Sequence, residues 1–556
     1  MKDFSFNDNT PQELVEENFY NGWPIVYVLN NDKEMYIGET YHAVERMKQH
    51  LKNNDRRKLK DLHIIGSDNF TKSATLDIES SLIELCKLEN KRELQNSNDG
   101  LVYHHYANKE CFRKDSPFFA SIWNELKKRD LVETDIETLL NSDLFKYSPY
   151  KQLNAEQKTT RDYILEDIEK TLEENKKKSI FVNGSAGTGK TILAIYLLKL
   201  LVTDGDYLTD FEEDTSDTLY FLENLRKIKK LKPDLKVAYV VAMSSLRKTL
   251  KKVFGNIKGL QAKMVISPNE AAKNKYDILI VDEAHRLMKR KNLAQYGDFD
   301  KCNRLLNLDN NGTQLDWILM NSNIQILFYD FEQSIKPTDV SQERFAKLIK
   351  EAGNSVHNLT SQMRCLAGHD YINYVKDILN CNAAKPLDFS DKYDFRMFEN
   401  IDDFCDAIYE HENKEQLSRI VAGYGFEWAS KNNKDKPDIN IGNRHFFWNR
   451  TSEGWPLSIK GKEVINEVGC IHTIQGYDLN YCGVIFGPEI VFRNNRIEII
   501  KDNYFDANGK NGINYDELKN YIINIYSVLM TRGIKGTYLY VCDDGLRNYL
   551  KNYIKI

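Results

Sequence analysis

The chain has 556 residues, of which 41% are hydrophobic and 29% are charged, and its formal net charge is −5. This composition is typical of a globular protein with about three or four domains, and it excludes a molecule that binds nucleic acid through overall positive charge. The nine cysteines form no C-x-x-C pair, as expected of reduced thiols. The polar, acidic start does not resemble a signal peptide, and no apolar stretch is long enough to span a membrane, so we expect a cytoplasmic protein.

A first group of candidate catalytic residues lies near the N-terminus. "IVYV" predicts a strand that carries Tyr27, "MYIG" predicts a second strand that carries Tyr36, and "AVERMKQH" predicts a helix. Arg46 and His50 lie four residues apart on this helix and therefore share one face. Two tyrosines, an arginine and a histidine are thus expected to converge on one point.

Residues 24–98 resemble the GIY-YIG endonuclease family. The second half of the family's motif is present as "YIG" at residues 36–38. In the first half, the tyrosine is kept as Tyr27, whereas Ile25 stands where the family has glycine. The resemblance implies a small α+β nuclease domain.

The same resemblance implies roles for further residues. Glu79, on the helix predicted from "SATLDIESSLIELC", matches the family's single Mg²⁺-binding glutamate, and Asn96 matches its later asparagine. Cleavage of a phosphodiester needs an activated water, a cation and help for the leaving group. Tyr27, aided by His50, is the favoured base, and Tyr36 is the alternative. The implied catalytic residues are Tyr27, Tyr36, Arg46, His50, Glu79 and Asn96.

A basic run follows the predicted helix. "RMKQHLKNNDRRKLK", residues 46–60, carries seven cations and one Asp. Two interpretations stay open: the run is a solvated surface, or it holds a nucleic-acid backbone through residues such as Arg56 and Arg57.

A phosphate-binding loop is the strongest signal in the chain. "GSAGTGKT", residues 184–191, fits G-x-x-x-x-G-K-[ST], follows the apolar run "IFVN" and opens the predicted helix "TILAIYLLKLL". The glycines Gly184, Gly187 and Gly189 let backbone N–H groups close around phosphate oxygens of ATP. Lys190 is expected to reach the β- and γ-phosphates, and Thr191 to hold Mg²⁺.

An acid pair follows the P-loop at a suitable distance. "ILIVDEAH" ends an apolar strand in Asp282 and Glu283. We expect Asp282 to support the metal and Glu283 to orient or deprotonate the attacking water.

Residues 151–556 resemble superfamily 1 helicases, and more narrowly the Schlafen-type helicase domain of bacterial proteins, through "RIVAGYGFEW", "FFWNR" and "HTIQGYDLNYCGVIFGPEI". In "FYDFEQSI" the chain has Tyr329-Asp330 where the helicases usually have Gly-Asp. The resemblance implies two RecA-like lobes that bind ATP between them. It also implies an adenine-reading Gln157, a coupling Gln333, a γ-phosphate-contacting Arg364, Gly476 in the fifth motif and an arginine finger, Arg532.

The expected fold class is α/β, in four parts: a nuclease domain (1–110), a helical connector (111–150), a RecA-like ATPase lobe 1 (151–350) and a RecA-like lobe 2 (351–556). The predicted strands of lobe 1 are "SIFVNG", "KVAYVVA", "YDILIVDEA" and "IQILFYD". A second strand–helix series contains "RIVAGY", "GCIHTIQG", "CGVIFGP" and "GTYLYVCD".

These features predict an ATP-dependent translocase or helicase coupled to a metal-dependent endonuclease, in anti-phage defence, restriction or repair. The expected partner is nucleic acid, with DNA favoured over RNA, and no membrane. Oligomerisation and binding to a partner defence protein also stay open. Two alternatives stay open: a nucleic-acid sensor that gates the nuclease without unwinding, and a helicase with an inactive nuclease module.

Overall fold

The structure is a computed structural model. It divides into two compact units, Met1–Asn154 with Thr203–Glu223, and Ala155–Val202 with Asn224–Ile556. Within the described part of the chain, no helix combines the length and the apolar character needed to cross a membrane. The described residues are 1–16, 21–96, 106–114, 116–140, 142–149, 153–185, 187–203, 216–257, 259–293, 295–330, 337–362, 365–450, 455–459, 461–474 and 479–556.

The first unit is built on a mainly antiparallel sheet. Its elements are β1 (Lys2–Ser5), α1 (Thr10–Glu16), β2 (Asn21–Asn30), β3 (Glu34–His42), α2 (Ala43–Lys52), β4 (Asp61–Ile65), α3 (Lys72–Glu89), β5 (Glu93–Leu94), α4 (Pro117–Lys128), α5 (Ile136–Leu140) and α6 (Asp143–Lys146). The strand order is β1-β4-β2-β3-β5, and only the β3–β5 pair is parallel in this sheet. The two strands and the helix predicted near the N-terminus lie within β2, β3 and α2.

Both faces of β2 are buried, and its alternate residues pack into two different hydrophobic cores. Tyr27 packs with Val44 and Met47 of α2 on one face. Val26 packs with Ile78 of α3 on the other face. A sheet covered on both sides needs apolar residues at every position of its central strand, which explains the unbroken run around Tyr27.

The helices expected to form a connector are part of the first unit. Phe119 and Trp123 of α4 are fully buried and share one hydrophobic core with Val26 and Ile78. The indole Nε1 of Trp123 donates to the carbonyl of Thr134 at 2.9 Å. The apolar face of an amphipathic helix must be covered, and here the N-terminal sheet and α3 cover it.

The described residues between 155 and 359 contain a parallel sheet and its helices. The elements are α7 (Ala155–Glu173), β6 (Lys178–Gly184), α8 (Lys190–Val202), α9 (Ser216–Leu231), β7 (Val237–Val241), α10 (Ser244–Gly255), β8 (Val265–Ile266), α11 (Pro268–Ala271), β9 (Tyr276–Asp282), α12 (Gly297–Leu305), α13 (Gln314–Asn321), β10 (Ser322–Tyr329), α14 (Gln342–Ala352) and β11 (Val356–Leu359). The strand order is β11-β6-β10-β9-β7-β8, and all five pairs are parallel. The four predicted strands coincide with β6, β7, β9 and β10.

A second sheet follows. The elements are α15 (Gly368–Leu379), β12 (Asp394–Phe398), α16 (Ile401–Glu415), β13 (Ser418–Ala422), β14 (Ile439–Ile441), β15 (Arg444–Trp448), α17 (Trp455–Ser458), β16 (Glu467–Gly469), α18 (Ile471–Ile474), β17 (Leu479–Phe486), β18 (Ile490–Arg493), β19 (Arg496–Ile499), α19 (Ala507–Lys510), α20 (Tyr515–Met530), β20 (Gly533–Val541) and α21 (Asp544–Leu550). The strand order is β12-β20-β17-β13-β16-β15-β14, and β18 pairs with β19 in a hairpin. The predicted α/β class is confirmed. In "GCIHTIQG" the strand ends at Gly469 and a helical turn begins at Ile471.

Replacement of Trp123 by Ala is expected to destabilise the first unit by about 3–5 kcal/mol, because it removes a fully buried indole from the shared core. Hydrogen exchange of the β2 and β4 amides, measured with increasing denaturant, would report this loss. The matched control is Trp23→Ala, since Trp23 is 37% exposed and should affect exchange less. Equal effects of both substitutions would contradict a shared core.

Candidate functional site

The tyrosines of the N-terminal unit meet the helix α2 at one point. The hydroxyl of Tyr27 lies 2.7 Å from Nε2 of His50 and accepts a hydrogen bond from Nε of Arg46 at 3.2 Å. Nη2 of Arg46 also donates to the hydroxyl of Tyr36 at 3.5 Å. Since the Tyr27 hydroxyl accepts from Arg46, its own proton can point to His50. The structure therefore brings together the four residues that the sequence placed on two strands and a helix.

Gly38 makes room for this arrangement. Tyr27 and Gly38 are paired residues of β2 and β3. A side chain at Gly38 would collide with the ring and hydroxyl of Tyr27. The glycine of "YIG" thus lets a full tyrosine ring lie against the neighbouring strand.

Burial decides the electrostatics of this cluster. It raises the pKa of Tyr27 well above its usual value, and the Glu79 carboxylate on α3 adds to this rise. Burial, together with the charges of Arg46 and Arg56, lowers the pKa of His50 to about 3. His50 is therefore uncharged at neutral pH and can accept a hydrogen bond at Nε2, although its low pKa makes it a weak base.

Asn96 acts on the backbone of β3. Its Oδ1 accepts from the N–H of Ile37 at 2.9 Å, and its Nδ2 donates to the carbonyl of Ile37 at 2.7 Å. The side chain is buried and continues the sheet edge beyond β5. Asn96 thus fixes the strand residue next to Tyr36, and any contact with substrate stays a prediction.

The P-loop joins β6 to α8 and has the shape of a phosphate cradle. A Cβ at Gly184 would lie 2.5 Å from Thr188 Oγ1 and 3.0 Å from the carbonyl of Leu359. Gly187 and Gly189 have φ angles of +87° and +79°, a conformation that favours glycine. The loop ends at the N-terminus of α8, a helix of 13 residues, where backbone N–H groups and the helix dipole attract phosphate.

The ammonium group of Lys190 is buried at the mouth of this cradle. It donates to the carbonyl of Gly184 at 2.6 Å and to that of Ser185 at 3.0 Å. Asp330, at the end of β10, places a carboxylate oxygen 3.5 Å away. From the sequence, Asp330 was not expected beside Lys190, and its position directly after an apolar strand was the available signal.

Thr191 and Asp282 place oxygen atoms side by side. The hydroxyl of Thr191 donates to Oδ2 of Asp282 at 2.8 Å, and the hydroxyl of Tyr239 donates to the same oxygen at 2.8 Å. Burial raises the pKa of Asp282, and the charge of Glu283 raises it further. A hydroxyl and a carboxylate in contact are oxygen donors of the kind that Mg²⁺ prefers, so these residues fit the expected metal.

Glu283 occupies a backbone conformation that is rare outside glycine, with φ of +52°. Its Oε2 lies 2.9 Å from Nε2 of His285. Burial would raise the pKa of Glu283, but His285 and Lys190 outweigh this effect and lower the pKa. The carboxylate therefore stays ionised, as a water-activating group requires. His285 stands two residues later in "DEAH" and could have been found there.

Gln157 contacts the P-loop. Its Nε2 donates to the carbonyls of Thr188 and Gly189, both at 3.3 Å, and its side chain is fully buried. The amide thus supports the loop backbone, and its implied reading of adenine stays a prediction. Arg532 lies between α20 and β20 and is 3% exposed. The remaining residues implied by the helicase resemblance lie outside the described residues: Gln333, Arg364 and Gly476.

The comparisons with known proteins assign the larger unit. A family model for the Schlafen group 3 DNA/RNA helicase domain matches residues 177–543, which is more than half of the chain. The chain belongs to this family. The domain has the fold of a helicase-like P-loop ATPase. This fold implies that the chain binds ATP. The match does not include the N-terminal sheet.

Other relatives are more distant. The chain is 27% identical over 443 residues to the uncharacterized protein YPL245W of Saccharomyces cerevisiae, across 72% of this chain and 90% of the yeast protein. A structure of two coordinating Pif1 helicases at forked double-stranded DNA gives 12% identity and a TM-score of 0.23, covering 70% of this chain and 92% of that one. A DEAD box protein from Methanococcus jannaschii gives 10% identity and a TM-score of 0.23, covering 69% and 87%. These TM-scores support no assignment.

Metal ligands are sparse in both sites. Across the described ranges, no group of three or more His, Cys, Asp or Glu is arranged to hold a metal ion. A Mg²⁺ ion bound by one carboxylate keeps several waters and takes further oxygens from phosphate. Glu79 in the first unit and Thr191 with Asp282 in the second are compatible with this mode of binding.

Replacement of Gly184 by Ala is expected to weaken nucleotide binding at least about tenfold, because the new methyl group would press on Thr188 and on the carbonyl of Leu359. Fluorescent ATP-analogue titration would measure this. The matched control is Gly255→Ala at the end of α10, where nothing lies within 4 Å of the added atom. Unchanged binding in the Gly184 variant would show that the loop opens when nucleotide binds.

Proposed function

We propose that this chain is an ATP-driven translocase or helicase, coupled to a Mg²⁺-dependent endonuclease in its N-terminal unit, with DNA as the favoured substrate. The observation that carries the nuclease proposal is the meeting of Tyr27, Tyr36, Arg46 and His50 within hydrogen-bond reach. The observation that supports the motor is the P-loop site in a helicase-family domain.

In the proposed motor, Lys190 contacts the β- and γ-phosphates when a nucleotide replaces its loop carbonyl partners. Thr191 and Asp282 would hold Mg²⁺, which supplies charge neutralisation at the transferred phosphate. The ionised Glu283 orients the attacking water. Arg532 is the proposed arginine finger, and such a finger raises the rate by about 10³–10⁵.

In the proposed nuclease, Tyr27 takes a proton from the attacking water as its own proton moves to His50 along the 2.7 Å contact. Because the pKa of His50 is lowered to about 3, this transfer requires the negative charge of the bound phosphate to stabilise the imidazolium, while Arg46 stabilises the tyrosine oxygen. Glu79 would hold Mg²⁺, which supplies a positive charge at the cleaved phosphate. Tyr36, which also faces Arg46, is the alternative base.

A cleft in the second unit is the proposed path of a nucleic-acid strand. It has a volume of about 750 Å³, and residues from both sheet-containing lobes line it. Tyr424, Phe426, Trp428 and Phe505 line it from the second sheet, and Arg286 and Met243 are among the residues that line it from the first. Aromatic rings of this kind can stack on successive bases of a single strand without reading their sequence.

Replacement of Phe505 by Ala is expected to weaken single-strand binding by about 1–3 kcal/mol, because one stacking surface is lost. Phe505 is 46% exposed, so the fold should be unaffected. Fluorescence anisotropy with labelled single strands of DNA and RNA would measure the change and rank the two substrates. Tyr163→Ala, which removes a ring that is 53% exposed elsewhere, is the control. Equal loss in both variants would exclude the cleft as the binding path.

The two activities should be separable by substitution. Lys190→Ala is expected to abolish ATP hydrolysis, because the buried ammonium is the phosphate contact. Glu79→Ala is expected to lose cutting in Mg²⁺ and to keep nucleic-acid-stimulated hydrolysis, because the two sites lie in different units. ATPase and plasmid-cutting assays of both variants provide reciprocal controls.

Specific results would contradict each of these proposals. Normal hydrolysis by the Lys190 variant would refute the motor, and Mg²⁺-dependent cutting by the Glu79 variant would remove Glu79 as the metal ligand. No cutting by the wild type on any DNA or RNA would favour an inactive nuclease module. Hydrolysis without strand displacement or translocation would favour a sensor that does not unwind.

We also propose that the nucleotide state controls cutting, because an unregulated nuclease of low specificity would damage its own genome. Cutting by the wild type and by Lys190→Ala is compared without nucleotide, with ATP and with a non-hydrolysable analogue. Equal cutting in all conditions would refute this control. Defence against phage or plasmid DNA is the proposed use, and it requires both Glu79 and Lys190 in cells.

A further inference from the structure

The basic run at residues 46–60 divides into two groups of side chains. Arg57 pairs with Asp8 at 3.0 Å, and these side chains are 60% and 75% exposed. Lys58 pairs with Asp55 at 2.7 Å, also at the surface. Arg56, which precedes both in the sequence, is half-buried and lies against Tyr36. The run is therefore not a uniform cationic surface.

Arg56 covers one face of Tyr36. Its guanidinium carbon lies 3.9 Å from the centroid of the Tyr36 ring, within the range of a cation–π contact. The hydroxyl of the same ring accepts from Arg46. Tyr36 is thus held by two cations, one at its face and one at its tip.

Arg56 also hydrogen-bonds to Gln95, in the chain segment beside Tyr36. Its Nη1 donates to Oε1 of Gln95 at 2.5 Å, and its Nη2 donates to the carbonyl of Gln95 at 3.3 Å. The next residue, Asn96, makes the two hydrogen bonds to Ile37 that fix the strand beside Tyr36. The backbone N–H of Gln95 donates to the carbonyl of Met35 at 2.7 Å, on the other side of Tyr36. Arg56 therefore acts on Tyr36 both directly and through the backbone.

We propose that Arg56 is a positioning residue of the nuclease site, which clamps Tyr36 and the adjacent backbone of β3 so that the Tyr36 hydroxyl stays beside Arg46. This inference rests on the proposed nuclease function. For Arg56, it replaces the expectation that the side chain holds a nucleic-acid backbone. A planar guanidinium suits this role, because it stacks on a ring and donates two hydrogen bonds at once.

The first test separates turnover from binding. In Arg56→Ala, kcat for cutting a plasmid in Mg²⁺ is expected to fall about 10- to 100-fold, because a reacting group displaced by about 1 Å loses this much. KM and the salt dependence of DNA binding should not change. Arg56→Lys should restore little, since lysine keeps the charge but lacks the planar, two-bond group. Arg57→Ala, the adjacent control, should keep the kcat of the wild type.

The second test follows the ring itself and does not depend on cutting. The full chain is labelled with 3-fluorotyrosine, and the ¹⁹F resonance of Tyr36 is identified by its loss in Tyr36→Phe. This resonance should shift in Arg56→Ala and stay in place in Arg57→Ala. Gln95→Ala removes one hydrogen-bond acceptor of Arg56 and leaves Arg56 itself intact. It should also lower kcat, and it replaces Arg56→Ala as the test if that variant does not fold.

The outcomes separate a failure of the proposed role of Arg56 from a failure of the proposed nuclease function. A raised KM with a shallower salt slope and a normal kcat in Arg56→Ala would make Arg56 a phosphate contact and overturn the inference. An unmoved Tyr36 resonance would overturn it as well. Absence of cutting by the wild type would instead overturn the proposed nuclease function, while the ¹⁹F result would still decide whether Arg56 holds Tyr36.

Discussion

The buried ammonium of Lys190 is the constraint on which the ATP site depends. A charge removed from water is stable only when it is paired and hydrogen-bonded. The loop carbonyls of Gly184 and Ser185 supply two acceptors, and Asp330 supplies the opposite charge. Asp330 can do so only because β10 lies directly beside β6 in the sheet. The order of the strands thus brings the carboxylate of Asp330 to the buried ammonium of Lys190.

The same order assembles the groups that are proposed to hold the metal ion and to activate water. β9 lies on the other side of β10, and β7 lies beyond β9, so the ends of four neighbouring strands form one edge. Asp282 at the end of β9 receives hydrogen bonds from Thr191 and from Tyr239 of β7. The left-handed backbone at Glu283 then turns the chain away from the strand direction. Such a conformation costs about 1–3 kcal/mol and persists where the surroundings fix it.

In the N-terminal unit, the buried group is a neutral phenol. Tyr27 is fully buried, and its hydroxyl is satisfied by Arg46 and the uncharged His50. The burial that raises the pKa of Tyr27 also lowers the pKa of His50, so the neutral histidine accepts the hydrogen bond of the phenol but is a weak base. Proton transfer within this tyrosine–histidine pair therefore needs a further charge that changes the two pKa values, and the phosphate of the proposed substrate would supply one.

The limits of the sequence follow from this geometry. Residues inside one motif, such as Lys190 and Thr191 or Arg46 and His50, were predictable because a short loop or a single helix places them. Asp330, which meets Lys190 from 140 residues away, and Tyr239, which meets Asp282 from 43 residues away, depend on strand order that no local pattern encodes. Trp123 lies on a helix of the segment that was expected to be a helical connector, but a helical pattern does not say which surface covers the apolar face of the helix. Arg56 shows the same limit most clearly: it and Arg57 are equivalent in the sequence, and only the position of Gln95, 39 residues later, separates the side chain that faces the tyrosines from the one that faces water.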